Sequence, residues 1–258
     1  MRFRPCIDLH EGKVKQIVGS TLRDLEGVGP EENFVSERPP SYYAELFKKD
    51  GLRGGHVIML GPGNEEAAEE ALRAWPGGLQ IGGGITDENA ALWLDRGADA
   101  VIVTSFCFKD GRFIEERVKR LIKRIGRDGL VLDLSCRRRE DGHYYVVTDR
   151  WQRFTELRVD QETLEFLGGM CREFLVHGVD VEGKCAGVEE DLIEILGKYS
   201  PIPTTYAGGI RSMEDLETIS RLGGNRIDFT VGSALDIFGG RFLRYEEVVR
   251  VTRDRYST

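Results

Sequence analysis

The chain repeats itself, and the repeat narrows the folds open to it. Cys6-Ile7-Asp8-Leu9 resembles Val131-Leu132-Asp133-Leu134, and Gly83-Gly84-Ile85 resembles Gly208-Gly209-Ile210. Asp133 lies 125 positions after Asp8, and Gly209 lies 125 after Gly84. A third pair, Val103-Thr104-Ser105 and Val231-Gly232-Ser233, follows in the same order at a spacing of 128. Ordered matches at nearly one spacing mark a duplicated unit. With 258 residues in all, the expectation is two half-barrels, about residues 1–125 and 126–258, forming one domain.

The hydropathy pattern fills in each half. Short apolar, β-branched runs are expected as strands over residues 4–9, 56–60, 79–81, 100–103, 130–134, 173–176, 204–206 and 227–231. Most do not alternate with polar residues, as expected for parallel strands covered on both faces. Amphipathic stretches over 42–49, 65–75, 88–96, 113–125, 161–171, 189–198, 213–221 and 245–253 read as helices. In the clearest of them Ile114, Val118, Leu121, Ile122 and Ile125 fall on one stripe. Eight strand–helix units in roughly 250 residues is the size and order of a (β/α)8 TIM barrel, an α/β fold. The doubly wound alternative usually carries G-x-G-x-x-G after its first strand, and Asp8-Leu9-His10-Glu11-Gly12 stands there instead.

Charge and cysteine content exclude several classes of function. Lys and Arg total 36 against 44 Asp and Glu, a net charge of −8, so nucleic acid and anionic membrane are not expected partners. Five cysteines, odd in number and without a C-x-x-C pair, indicate neither a disulfide framework nor a zinc ribbon. With a start at Met1-Arg2-Phe3-Arg4-Pro5 that lacks a signal-peptide stretch, the expectation is a soluble, cytoplasmic protein, monomeric by default.

The repeat also suggests a ligand. Active sites of such barrels lie at the carboxyl ends of the strands, so Asp8 and Asp133 should face each other across the mouth. Residues 80–86 and 206–211, with Gly82, Gly83, Gly84, Gly208 and Gly209, are phosphate-loop candidates. Glycine lets backbone N–H groups converge on an oxyanion, and a helix beginning just after each loop should add its positive end. Thr104 with Ser105, and Gly232 with Ser233, complete two cradles. This suits an elongated small molecule with a phosphate at each end and chemistry in the middle. Facing carboxyls in unlike surroundings can serve as acid and base. The histidines His10, His56, His143 and His177 lack metal-ligand spacing, so no metal is expected.

These elements together resemble the ProFAR isomerase family of histidine biosynthesis. The resemblance begins at Phe3-Arg4-Pro5-Cys6-Ile7-Asp8-Leu9-His10-Glu11-Gly12-Lys13-Val14 and continues through His56-Val57-Ile58-Met59-Leu60-Gly61-Pro62-Gly63-Asn64, residues 79–86 and residues 101–105. It extends over Phe174-Leu175-Val176-His177-Gly178-Val179-Asp180-Val181-Glu182-Gly183 and ends at Ala207-Gly208-Gly209-Ile210. The His-Val-Ile and His-x-x-Asp-Val-Glu-Gly segments are more like the fungal and plant branch than the bacterial one. The resemblance implies a cofactor-free Amadori rearrangement of a bisphosphorylated aminoaldose to an aminoketose. It casts Asp8 as the general base at the sugar C2 and Asp133 as the general acid at the ring oxygen.

Two departures from the bacterial pattern stand out. A strand-six threonine that assists the acid is replaced by Gly178, and the neighbouring His177 is placed to take over as donor. Where bacterial relatives carry Val-Asp-Leu-Asp on the second strand, this chain has Ile58-Met59-Leu60-Gly61. The segment after the fifth strand is long, and Trp151, within Asp149-Arg150-Trp151-Gln152, is expected to close over the imidazole of the substrate. Arg137, Arg138 and Arg139 read as solvated charges leading into a hairpin. Two rivals stay open. The sister cyclase of the pathway would use a lysine soon after the first aspartate, for which Lys13 and Lys15 are available, and would dock a glutaminase. A non-catalytic phospho-sugar-binding barrel would keep the cradles and need neither aspartate.

Overall fold

The computed structural model describes residues 1–17, 32–148, 151–182 and 184–256; Asp149, Arg150 and Gly183 of the motifs above lie outside them. The strands are β1 (Cys6–His10), β2 (Lys13–Ile17), β3 (Glu32–Val35), β4 (Gly55–Met59), β5 (Leu79–Gly82), β6 (Val101–Val103), β7 (Phe108–Lys109) and β8 (Arg112–Phe113). They continue as β9 (Leu130–Arg138), β10 (Tyr144–Thr148), β11 (Arg153–Arg158), β12 (Glu173–Gly178), β13 (Thr204–Ala207) and β14 (Ile227–Phe229). The helices are α1 (Pro40–Lys49), α2 (Glu65–Ala74), α3 (Ala90–Asp95), α4 (Glu115–Ile125), α5 (Gln161–Gly168), α6 (Glu190–Tyr199), α7 (Met213–Leu222) and α8 (Tyr245–Tyr256).

Eight strands, β1, β4, β5, β6, β9, β12, β13 and β14, pair parallel in that order. The ring closes where the chain enters β1. Phe3 and Phe229 form a parallel bridge, Arg4 N–H donates to Phe229 O at 2.8 Å, and Phe229 N–H donates to Arg2 O at 3.0 Å. The chain is thus a (β/α)8 barrel, as the repeat and the strand count suggest.

Period-two alternation decides what fills the barrel. One parity packs outward under the helices, with Ile7, Leu9, Val57, Leu79, Ile81, Val103, Leu132 and Val176 in the large core. The other parity turns inward and stacks in layers. An apolar layer holds Ile102, Val131, Leu175, Ala207 and Ile58. Below it lies a polar layer in which Glu173 accepts from Gln80 (3.0 Å) and Thr205 (3.1 Å), and Arg4 Nε donates to Asp228 at 2.9 Å. These buried groups are paired, as buried polar groups must be. Above the apolar layer, at the carboxyl ends, the same parity brings up Asp8, Thr104, Asp133 and His177.

Helix α4 shows why the amphipathic stretches fold as read. Glu115 and Glu116 sit in its first turn and Lys123 and Arg124 in its last, matching the helix dipole. Val118 and Leu121 are wholly buried beneath it, each contributing about 1.5–3 kcal/mol. Gly126 ends it with φ +73°, a conformation glycine adopts without strain.

Two excursions from the barrel differ from the sequence reading. After β1 the chain turns back at Glu11 (φ +52°) and Gly12 (φ +74°) into β2, which pairs antiparallel with β1 and β3. After Asp133, β9 continues past the barrel rim to Arg138 and pairs antiparallel with β10, which pairs with β11. The hairpin expected after Arg139 is therefore present, and β11 extends it into a three-stranded flap that the sequence reading did not include. Arg137 is held within it: it donates to Asp180 Oδ1 at 3.0 Å and to Trp151 O at 3.4 Å, so it is not simply solvated.

Candidate active site

A cavity of about 1000 Å³ opens at the carboxyl ends of the barrel strands and contains most of the residues picked out from the sequence. Asp8, Asp133, His177, Trp151, Gly83, Thr104, Ser105, Gly208, Gly209, Gly232 and Ser233 line it. Gly82 and Gly84 do not. Gly82 lies in the apolar layer, where a Cβ would come within 2.7 Å of Ile58 Cδ1 and 3.1 Å of Ile102 Cβ. Gly84 is on open ground, where a Cβ would have no neighbour within 4 Å.

The two glycine turns repeat one backbone. Gly83 and Gly208 have φ +93° and +123°, and Gly84 and Gly209 have φ +67° and +72°. Within the described residues, no hydrogen bond uses the N–H groups of Gly84, Gly209 or Ser233. Those donors suit an oxyanion. The helix ends do not add to them as the sequence suggests. α3 starts only at Ala90. At α7, Ser212 and Asp215 form a capping box, with Asp215 also accepting from Arg211 N–H at 2.8 Å. The α7 terminus is thus satisfied by its own carboxylate.

Between the turns stand the acids. Asp8 Oδ2 accepts from Gln16 Nε2 at 2.9 Å. Burial, and then the nearby Glu182 carboxyl, push its pKa up to about 6, against the pull of the Gln16 bond and His177. Asp133 is held at both oxygens: His177 Nδ1 lies 2.9 Å from Oδ1, and Thr104 Oγ1 donates to Oδ2 at 3.0 Å. Thr104 therefore spends its hydroxyl on the acid and not on a cradle. Burial lowers the His177 pKa, but Asp133, with Glu182 and Asp8, outweighs it and raises it to about 9. Trp151 sits at the turn between β10 and β11 with φ +68° and donates from Nε1 to Ser135 Oγ at 3.0 Å. This holds the indole over the mouth from the flap side.

Three participants escape the sequence reading. Gln16 reaches Asp8 from the β2 hairpin, whose signal is the Glu11-Gly12 turn. Gly232 makes room for it, since a Cβ there would meet Gln16 Oε1 at 2.3 Å. Glu182 lines the cavity with its Oε2 buried and unpartnered among the described residues; it was visible only as part of a motif. Thr230, also on the cavity wall, has its Oγ1 buried and without a hydrogen-bond partner among the described residues. Lys13 is exposed, and Lys15 pairs with Glu11 at 2.6 Å; no lysine is among the described residues lining the cavity. Also among the described residues, no group of three His, Cys, Asp or Glu side chains has metal-binding geometry, and no helix is long and apolar enough to cross a membrane.

A carboxyl pair in unlike settings between two matched glycine turns is a specific arrangement, and the chain that builds it is similar to known proteins along nearly its whole length. A protein from Medicago truncatula is 56% identical over 254 residues, covering 96% of this chain and 81% of its own length. Its name is 1-(5-phosphoribosyl)-5-((5-phosphoribosylamino)methylideneamino)imidazole-4-carboxamide isomerase, chloroplastic. Proteins of the same isomerase name from Neurospora crassa and Saccharomyces cerevisiae are 50% and 45% identical, covering 98% and 96% of this chain and 98% and 97% of their own lengths. The model of the family described as "Histidine biosynthesis protein" matches residues 2–242, from before β1 to the last turn before α8. Barrel, paired acids and both glycine turns all fall inside that match, and the chain belongs to the histidine biosynthesis protein family.

Proposed function

We propose that this chain is an aldose–ketose isomerase that converts the bisphosphorylated aminoaldose ProFAR into the aminoketose PRFAR by an Amadori rearrangement. Asp8 is the general base that takes the proton from C2 of the ribose. The Asp133 end of the cavity is the acid that protonates the ring oxygen, and one phosphate rests at each glycine turn. Trp151 stacks on the imidazole from the flap and shuts out water. The enzyme acts without a cofactor, as a cytoplasmic monomer.

The observation that carries this reading is the unlike dress of two carboxyls in one cavity. Asp8 has a neutral amide and a second carboxyl beside it. Asp133 has an imidazole and a hydroxyl. Two carboxyls so differently partnered can divide into base and acid. The cyclase rival lacks support, because no lysine is among the described residues lining the cavity and the relatives above are named as the isomerase. Incubation with ProFAR alone is the test. Conversion to PRFAR without glutamine or ammonia is expected, and an unchanged substrate would refute the reading. Turnover that survives in both Asp8→Asn and Asp133→Asn would mean that neither aspartate serves as the acid or the base.

A further inference from the structure

We propose that the proton delivered to the sugar-ring oxygen is carried on Nε2 of His177, and that Asp133 is the positioning residue that holds this imidazole. The inference rests on the isomerase reading and specifies which atom of its acid end reacts.

The hydrogen-bond pattern carries the argument. A proton shared across the 2.9 Å contact between His177 Nδ1 and Asp133 Oδ1 settles on the stronger base, the imidazole rather than the carboxylate. Asp133 then accepts at both oxygens, from the imidazole and from Thr104, and has no proton to give. The ring nitrogen left over, Nε2, has no hydrogen-bond partner among the described residues, and the side chain lines the cavity at 18% exposure. An imidazole fixed at one nitrogen by a carboxylate and free at the other is arranged to pass a proton through the free one.

The charged and titratable groups around His177 support that state. Asp8 faces it from β1, Asp133 from β9 and Glu182 from the turn after β12, and all three favour the imidazolium. His56, on β4, opposes it only when charged, and burial lowers the His56 pKa to about 3. The cysteines nearby, Cys6 and Cys136, are buried thiols with raised pKa and carry no charge.

The step balances without a further reactant. The Nε2 proton goes to the ring oxygen as the bond from that oxygen to the anomeric carbon breaks, and the nitrogen lone pair closes a carbon–nitrogen double bond. Asp8 removes the C2 proton, and the electron pair left behind forms an enol. Asp8 then returns its proton to the former anomeric carbon, and the enol hydroxyl gives its proton back to His177 as the ketone forms.

Two measurements test this. His177→Gln keeps an amide donor for Asp133 but has no transferable proton. It should lower kcat about 10²–10⁴-fold, leave KM within a few-fold, and abolish the alkaline limb of the pH profile. Nitrogen-15 NMR of the wild-type protein, without substrate, should show the His177 ring doubly protonated at neutral pH and titrating near pH 9. A Gln variant within threefold of wild-type kcat, with its alkaline limb in place, would overturn the proposal. So would a wild-type imidazole that titrates below pH 7, and that readout holds even if the variant fails to fold. A wild-type protein that leaves ProFAR unchanged removes the isomerase reading, whereas the titration separately decides whether Asp133 keeps His177 charged.

Discussion

Asp8 and Asp133 occupy the same place in the two halves of the repeat, yet their neighbours differ in kind. The amide beside Asp8 comes from Gln16 on the β2 hairpin, and the imidazole beside Asp133 comes from the end of β12. The glycine turns, by contrast, keep nearly the same φ angles in both halves. The frame is thus shared, while Gln16 and His177 outside the repeated motifs, and the Thr104/Gly232 difference within one of them, set what each carboxyl meets. Two carboxyls at equivalent positions acquire different surroundings through their partners and not through their own placement.

The largest expected effects test that division directly. Asp8→Asn and Asp133→Asn should each lower kcat about 10²–10⁴-fold, but their pH profiles should differ. Wild-type kcat/KM should rise through about pH 6 as Asp8 loses its proton, and this acid limb should vanish in Asp8→Asn. In Asp133→Asn the acid limb should remain, while the alkaline limb set by His177 near pH 9 moves down. Initial rates across pH 5–10 (roughly the span covering both groups) would show it. Two identical profiles would mean that the carboxyls are not distinct.

How far the sequence carried the reading follows from the same contrast. The aspartates were legible because they sit in strands with a strong apolar signal, and strand parity then dictates which end they reach. Gln16 and Glu182 were not, because a partner's approach depends on where a hairpin or a post-strand turn lands in space. Local pattern holds no record of that. The helix-end donors expected at the second glycine turn were misjudged for a nearer reason. Ser212 and Asp215 have the spacing of a capping box, and a capped terminus has no N–H groups to offer. The hairpin after Arg139 was legible from its Glu140-Asp141-Gly142 turn and the apolar run that follows, but its third strand, Arg153–Arg158, was not, because three of its six residues are charged and it shows no apolar run.

Packing around the glycine turns offers the next test. At Gly209 a Cβ would lie 1.9 Å from Gly187 O and 2.9 Å from Val181 Cβ. Gly209→Ala combines that clash with an unfavourable φ, and should cost about 2–4 kcal/mol in urea unfolding. A smaller effect comes from Asp8. Its pKa is raised from 3.8 to about 6 in the folded state, so the native protein holds a proton that the unfolded chain has already released. Stability should therefore fall as pH rises from about 4 to about 6, by up to about 3 kcal/mol. Asp8→Asn should flatten that part of the stability curve, and a wild-type curve that rises there would contradict the burial of Asp8.

Gly84→Ala should have the smallest effect, and it isolates what the halves share from what they do not. Gly84 has almost the φ of Gly209, but a Cβ there meets nothing within 4 Å. The substitution should cost only the left-handed backbone, about 1–2 kcal/mol, and the difference from Gly209→Ala then measures the packing that the second half added around a copied turn. The alanine keeps its N–H, so KM for the bisphosphorylated substrate should change less than threefold. Equal destabilisation at the two positions would mean that the turns are equivalent in surroundings as well as in backbone, and that the halves diverge at the carboxyls alone.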